Sequence, residues 1–178
     1  SERTCGNLLG MTSRRIFVSL VLGWVPLAGA SELPWEKLEG CRMVEGPHND
    51  GDSVEIECNG QRKVIRLFYV DCFEKSPYSR ARRVQQAKYF GISEEKREEA
   101  GLQIAYAATQ RTAAQLAQPF TVYTQGQKVD PTGQNPAVRG FVTTAEGQDL
   151  GKLLVSGGLA IIREGKAASE HPDGRNVS

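Results

Sequence analysis

The sequence predicts an α+β domain of mainly β character, a five-stranded, partly open β-barrel capped by helices. Three observations predict it. Strand-like stretches punctuated by Asp-Gly and Asn-Gly turns fill the first part of the chain. A long stretch of helical periodicity occupies the middle. Further strand signals and a short amphipathic helix follow it.

Residues 31–40 read as a polar lead-in to a domain spanning residues 41–166. Arg42 to Asn49 is the first expected strand, ending at the turn signal Asn49-Asp50-Gly51-Asp52. In the second, Ser53 to Cys58, Val54 and Ile56 alternate with Ser53, Glu55 and Glu57 at period two. Asn59-Gly60 predicts a tight hairpin into a third strand, Gln61 to Val70, rich in Val, Ile, Leu, Phe and Tyr. Tyr78 to Phe90 carries Arg80, Arg82, Arg83 and Lys88 among small and polar residues; it reads as a short helix or ordered loop ended by Gly91. Ser93 is the expected N-cap of a long helix, with Glu94 and Glu95 placed to favour its dipole. That helix runs to about Gln118, with Leu102, Tyr106, Thr109, Ala113 and Leu116 at helical spacing, and Pro119 stops it. Strands are expected at Phe120 to Thr124 and Val138 to Thr144, joined by a Gly/Pro/Asn/Gln-rich loop. Asp149 to Ser156 is a short helix closed by Gly157-Gly158, and Leu159 to Arg163 is a last strand before a polar tail, residues 167–178. This order suits a barrel of the OB type.

The composition is that of a globular chain: 39% hydrophobic and 24% charged, with a net charge of +1. Nothing in it marks an obligate DNA-coating protein, so any nucleic-acid binding must come from a local cluster. From Met11, Arg14 and Arg15 form a basic n-region. Ile16 to Leu27 form an apolar stretch, and Ala28-Gly29-Ala30 a small-residue cleavage site. Residues 1–30 therefore read as upstream residues plus a bacterial-type signal peptide, and the protein as secreted or periplasmic; the alternative is an uncleaved anchor. Taking away Glu2, Arg3, Arg14 and Arg15 with that segment leaves 19 basic against 20 acidic side chains. Cys41, Cys58 and Cys72 remain in the mature part. Cys41 and Cys58 lie almost symmetrically about Asp50-Gly51, which on a hairpin sets them near-opposite. Either a disulfide or two buried thiols follows. His48 and His171 are isolated and lack ligand spacing.

The chemistry-bearing residues sit at strand ends. Asp50 and Asp52 flank the first turn, and Arg66 lies in the third strand. Asp71 and Glu74 follow it, and Arg139-Gly140 opens the strand after the flexible loop. Singly these are turn, rim and loop residues. Together, Asp50-Gly51-Asp52-Ser53-Val54, Arg66 to Glu74 and Arg139-Gly140-Phe141-Val142 closely resemble the staphylococcal nuclease family. The spacings from Asp52 to Arg66, Asp71 and Glu74 match without a gap. The likeness covers roughly residues 41 to 163, including Leu153-Leu154-Val155 and Gly158-Leu159-Ala160.

The resemblance implies hydrolysis of phosphodiester bonds in DNA and/or RNA, single-stranded or frayed, with one Ca²⁺ and little base specificity. It implies that Asp52, Asp71 and the backbone carbonyl of Cys72 hold the metal, while Asp50 supports them from outside. Hard oxygen donors suit calcium. Glu74 is the implied general base, and Arg66 and Arg139 the implied grip on phosphate oxygens, a geometry guanidinium groups match. A monomer without stable membrane association is expected after signal cleavage. The alternative is a catalytically weakened OB-type module that binds nucleic acid.

Departures from the family pattern qualify the likeness. Cys72-Phe73 stands where the family usually has Thr-Pro, which is expected to loosen the segment aiming Glu74; an engaged Cys72 thiolate would turn the site toward Zn²⁺. The loop before Arg139 offers Asp130, Gln134, Asn135 and Pro136 in place of a Lys-Tyr pair. The stretch from Lys75 to Gly101 is expanded, its arginines being either a nucleic-acid track or a solvated basic face. The family's long C-terminal helix would begin where this chain reaches Ser178, so the fold is expected without it.

Overall fold

A computed structural model of the chain describes residues 34–130, 132 and 136–163; the expected signal peptide, Gln134, Asn135, His171 and the tail lie outside them. In chain order the elements are β1 (Glu36–Met43), β2 (Ser53–Cys58), β3 (Gln61–Leu67), β4 (Val70–Cys72), α1 (Arg80–Tyr89), α2 (Arg97–Gln115), β5 (Phe120–Lys128), β6 (Val138–Thr143), α3 (Leu150–Ser156) and β7 (Ala160–Ile162). Short 3-10 turns at Pro77–Ser79 and Glu94–Lys96 lead into α1 and α2. The five long strands close a barrel in the order β1-β2-β3-β6-β5, with β3 and β6 parallel and the other pairs antiparallel. β4 and β7 form a separate two-stranded sheet. The architecture is thus α+β, mainly β: an OB-like barrel with three α-helices among the described residues.

The barrel is closed rather than partly open because β1 begins and ends six residues earlier than expected. Its first half pairs with β5, Leu38 opposite Val122, and its second half pairs with β2, Arg42 opposite Glu57. Gly40, at φ +68°, lies where the register shifts between Leu38 and Cys41, a bulge that bends the strand from one partner to the other. Residues 36–40, expected as lead-in, therefore belong to the sheet. Trp35 anchors the chain just before them, its ring against Phe68 and Phe141 at 5.9 and 5.6 Å.

The β2–β3 hairpin follows expectation. Asn59 and Gly60 both have positive φ, 52° and 73°, the conformation of a type I′ turn whose twist matches the strands. Val54, Ile56 and Ile65 point into the core. The third strand ends at Leu67 instead of Val70. Tyr69 adopts φ 59°, an uncommon left-handed conformation for such a side chain, and redirects the chain. Asp71 consequently pairs with Ile161 of β7 instead of continuing β3.

Helix α2 buries a face one residue away from the expected one: Gly101, Ala105, Ala108 and Thr112 go inward, while Tyr106 is 53% exposed. Small residues win because the helix lies close to its neighbours. A Cβ on Gly101 would meet the Phe73 ring at 3.2 Å, and one on Gly51 would meet Ala108 and the Cys72 sulfur at 2.7 Å. Ser93 makes no side-chain cap; its carbonyl instead accepts the Lys96 N–H in the 3-10 turn. Helix α3 is capped as expected, with Asp149 accepting the Lys152 N–H at 2.8 Å. Its Leu150 and Leu154 are fully buried in the barrel core, each contributing about 2 kcal/mol.

Cys41 and Cys58 are joined by a disulfide, their Cα atoms 4.5 Å apart. The register explains the pairing, since Arg42 opposite Glu57 sets Cys41 opposite Cys58. The bond closes a chain segment of separation 17, so replacing both cysteines by alanine should lower stability by about 3 kcal/mol, read as a shifted urea midpoint. An unchanged midpoint would show that the barrel seam does not depend on the crosslink.

Candidate active site

The start of β2, the end of β3 and all of β4 meet at one rim of the barrel. Backbone bonds fix the approach: Leu67 N–H donates to the Asp52 carbonyl at 2.8 Å, and Asp50 N–H to the Ser53 carbonyl at 2.7 Å. The register sets Ser53 opposite Arg66. Asp52 is 2% exposed, and its Oδ2 accepts from Cys72 N–H at 3.0 Å and Arg66 Nη2 at 2.9 Å. The same Nη2 donates to Asp71 Oδ1 at 3.1 Å and stands 3.9 Å from Glu74 Oε1. One guanidinium nitrogen thus gathers the three acidic side chains expected at the site.

Arg139 is brought alongside by the parallel pairing of β3 with β6, in which it lies opposite Arg66. Thr124 donates its hydroxyl to the Arg139 carbonyl at 2.7 Å, and no carboxylate among the described residues forms an ion pair with its guanidinium. Burial first, then the positive charges of Arg66 and Arg163, lower its proton affinity below the usual value. Asp50 lies in the same turn, its Oδ1 accepting from Gly51 N–H at 2.8 Å and the Thr109 hydroxyl at 3.3 Å. A cleft of about 620 Å³ opens over this rim, lined among others by Asp50, Arg66, Glu74, Lys75, Arg82 and Arg163.

Two residues of α1 complete the site and were not singled out in the sequence. Arg82 bridges Asp71 Oδ1 and Glu74 Oε1, the latter at 2.6 Å. Gln86 Nε2 donates to Asp71 Oδ2 and to the Cys72 carbonyl, both at 3.0 Å. The remaining basic residues of α1 differ among themselves. Arg80 pairs with Glu98, Lys88 is exposed, and buried Arg83 donates to the carbonyls of Glu74 and Ser76. The segment thus turns Arg82 and Arg83 toward the site and its supporting backbone and leaves Arg80 and Lys88 exposed.

Cys72 is a buried free thiol, and its pKa is pushed up by burial and by Asp52, Asp50 and Asp71. That opposes the thiolate ligand considered for zinc. Phe73 is 1% exposed, its ring tilted against Phe90 at 5.2 Å, and with Arg83 it anchors the segment leading to Glu74. Where the family has proline, a buried ring holds this position.

The donors around Asp52 and Asp71 fit a hard cation in kind. They are oxygens, and Gln86 Oε1, on the amide that reaches Asp71 and Cys72, is a buried acceptor with no partner among the described residues. In the arrangement described, Arg66 and Arg82 are the cations among the carboxylates. No group of three His, Cys, Asp or Glu side chains among the described residues is disposed to hold a metal ion.

No family model and no curated protein matches this chain.

Burial raises the Asp50 carboxyl above its usual value, outweighing the Gly51 N–H bond; Asp52 adds to the rise and Lys75 opposes it. A raised folded-state pKa contributes stability that is complete below the unfolded value, 3.8, and is lost as pH climbs through the folded value. Asp50→Asn keeps an acceptor for Gly51 and Thr109 but carries no charge. It should therefore melt above the wild type at about pH 7 and converge with it near pH 3, followed by circular dichroism. A variant that melts lower at both pH values would contradict the desolvation argument.

Proposed function

We propose that the chain is a secreted, calcium-dependent nuclease of the staphylococcal nuclease kind, hydrolysing phosphodiester bonds of DNA and/or RNA with low base specificity. The observation that carries this reading is the convergence of Asp52, Asp71 and Glu74 on Arg66, with Arg139 in register beside it. Phosphodiester hydrolysis needs charge neutralisation, a proton acceptor for water and donors for the phosphate oxygens. This set contains each of them. Export is supported by the basic, apolar and small-residue succession from Arg14 to Ala30.

Asp52, Asp71 and the Cys72 carbonyl would hold the calcium ion. When bound, calcium supplies Lewis acidity and a template for the phosphate. Arg66, wedged between carboxylates, is pre-oriented so that a phosphate oxygen meets a fixed donor. Arg139 brings a positive charge with no carboxylate ion-paired to it among the described residues, and its attraction grows as negative charge builds on phosphorus. Glu74, partly exposed at the cleft, accepts the proton of the attacking water as general base. Gln86 keeps the Asp71 carboxylate oriented. The cleft is lined largely by polar and charged side chains, which suits the exposed backbone of single-stranded or frayed substrates.

The second reading is an OB-type module that binds nucleic acid without turnover. It is favoured by one observation: each oxygen of Asp71 already accepts a protein donor.

The test is release of acid-soluble nucleotides from denatured DNA in calcium and in EGTA. Calcium-stimulated release is expected, with Glu74→Gln lowering kcat by about 10²–10⁴-fold and Arg139→Ala by about 10²–10³-fold. No release by folded protein, together with salt-sensitive single-strand binding indifferent to Glu74→Gln, would establish the binding module instead.

A further inference from the structure

Arg82 differs from every other basic residue at the rim. Arg66 is fixed inside the barrel wall, its side chain 14% exposed and bonded to Asp52, Asp71 and Ser53. Arg82 comes from the first turn of α1, its side chain is 37% exposed, and its guanidinium contacts are with Asp71 and Glu74. Those are a carboxylate assigned to the cation and the carboxylate assigned to the attacking water. One partly exposed side chain therefore engages both functions at once.

We propose that Arg82 is a built-in counter-ion that competes with a divalent cation for this carboxylate cluster, so that the cation binds only as Arg82 swings out. The inference rests on the calcium reading of the site and deepens it. A guanidinium bonded to Asp71 Oδ1 occupies the acceptor that a cation would use, and a divalent cation added at that oxygen would be strongly repelled by the guanidinium groups already there. Arg66 already takes one direction at the same atom, so Arg82 fills what is left. The bond to Glu74 Oε1 matters equally, because it occupies an oxygen that an attacking water would otherwise meet. With Arg82 in place the cluster is electrostatically satisfied and the base is withheld. With Arg82 out, Asp71 keeps only Arg66 and Gln86 as side-chain partners among the described residues, and Glu74 faces the cleft.

The side chain can leave without dismantling its surroundings. Helix α1 is fastened by Arg83 on the Glu74 carbonyl, by Gln86 on Asp71 and Cys72, and by buried Ala87 in the cluster with Phe73. None of these contacts uses Arg82. A long, partly exposed arginine regains rotamer freedom in solvent, which offsets part of the loss of its two ion pairs.

Calorimetric titration of CaCl₂ into the wild-type protein and Arg82→Gln tests the proposal without recourse to catalysis. If the arginine-out state is the binding-competent minority, the variant should bind calcium about tenfold or more tightly. Arg82→Lys, which keeps a charge but cannot span both carboxylates, should fall between the two. It also stands in if Arg82→Gln melts early. Equal affinities for wild type and variants overturn the proposal. Equal affinities with calcium-stimulated cleavage overturn it while sparing the nuclease reading; no calcium binding by any of the proteins removes both.

Discussion

The structure turns on a single guanidinium held between two buried carboxylates. Arg66 binds Asp52 and Asp71, and Asp52 in turn takes the N–H of Cys72. The first turn, β3 and β4 are thereby tied at one point. This is not an efficient source of stability. Burial raises the Asp52 carboxyl above its usual value even with Arg66 alongside, so desolvation exceeds the attraction. A rim built only to close a barrel would use apolar side chains. The cost is intelligible if the charges are kept for work on another charged group, which is how perturbed ionisable clusters commonly arise at functional sites.

Several local features exist to allow that meeting. Tyr69 takes a left-handed conformation that ends β3 and sends Asp71 back toward Arg66. Gly51 has no room for a Cβ, because Ala108 of α2 and the Cys72 sulfur crowd the turn. Thr112 reinforces the contact, donating its hydroxyl to the Gly51 carbonyl at 2.7 Å. The helix thus clamps the very turn that carries Asp50 and Asp52, and its small inward residues are the condition for coming that close.

The sequence was most legible where local chemistry decides. Asn59-Gly60 specifies its hairpin through backbone conformation, Val54 and Ile56 show their face by alternation, and Cys41 and Cys58 follow from symmetry about the turn. It was least legible where tertiary packing overrides pattern. Between Glu36 and Gly40 only Leu38 is buried, too little alternation to announce a strand that two neighbours nevertheless pair. On α2 the larger residues suggested one face, but close approach selected Gly101, Ala105 and Ala108. The five principal residues of the candidate site were legible through spacing and likeness. Arg82 and Gln86 were not, because a run holding Arg80, Arg82, Arg83 and Lys88 carries no mark of which side chain turns inward. Only the docking of α1 decides that.

The electrostatics of the rim divide into two halves with different implications. On one side Arg139 lacks an ion-paired carboxylate among the described residues, and Arg66 and Arg163 both act to lower its proton affinity. An anion entering the cleft would relieve that repulsion, and this holds whether the protein cleaves nucleic acid or only binds it. On the other side Asp52, Asp71 and Glu74 are compensated by Arg66 and Arg82. Here the two readings part. A binding module gains from keeping the carboxylates neutralised, since exposed negative charge would repel the phosphate. A hydrolase must instead release them, because its water needs Glu74. The choice therefore rests with the exchange of one partly exposed guanidinium on α1, while the buried barrel beneath it serves both outcomes equally.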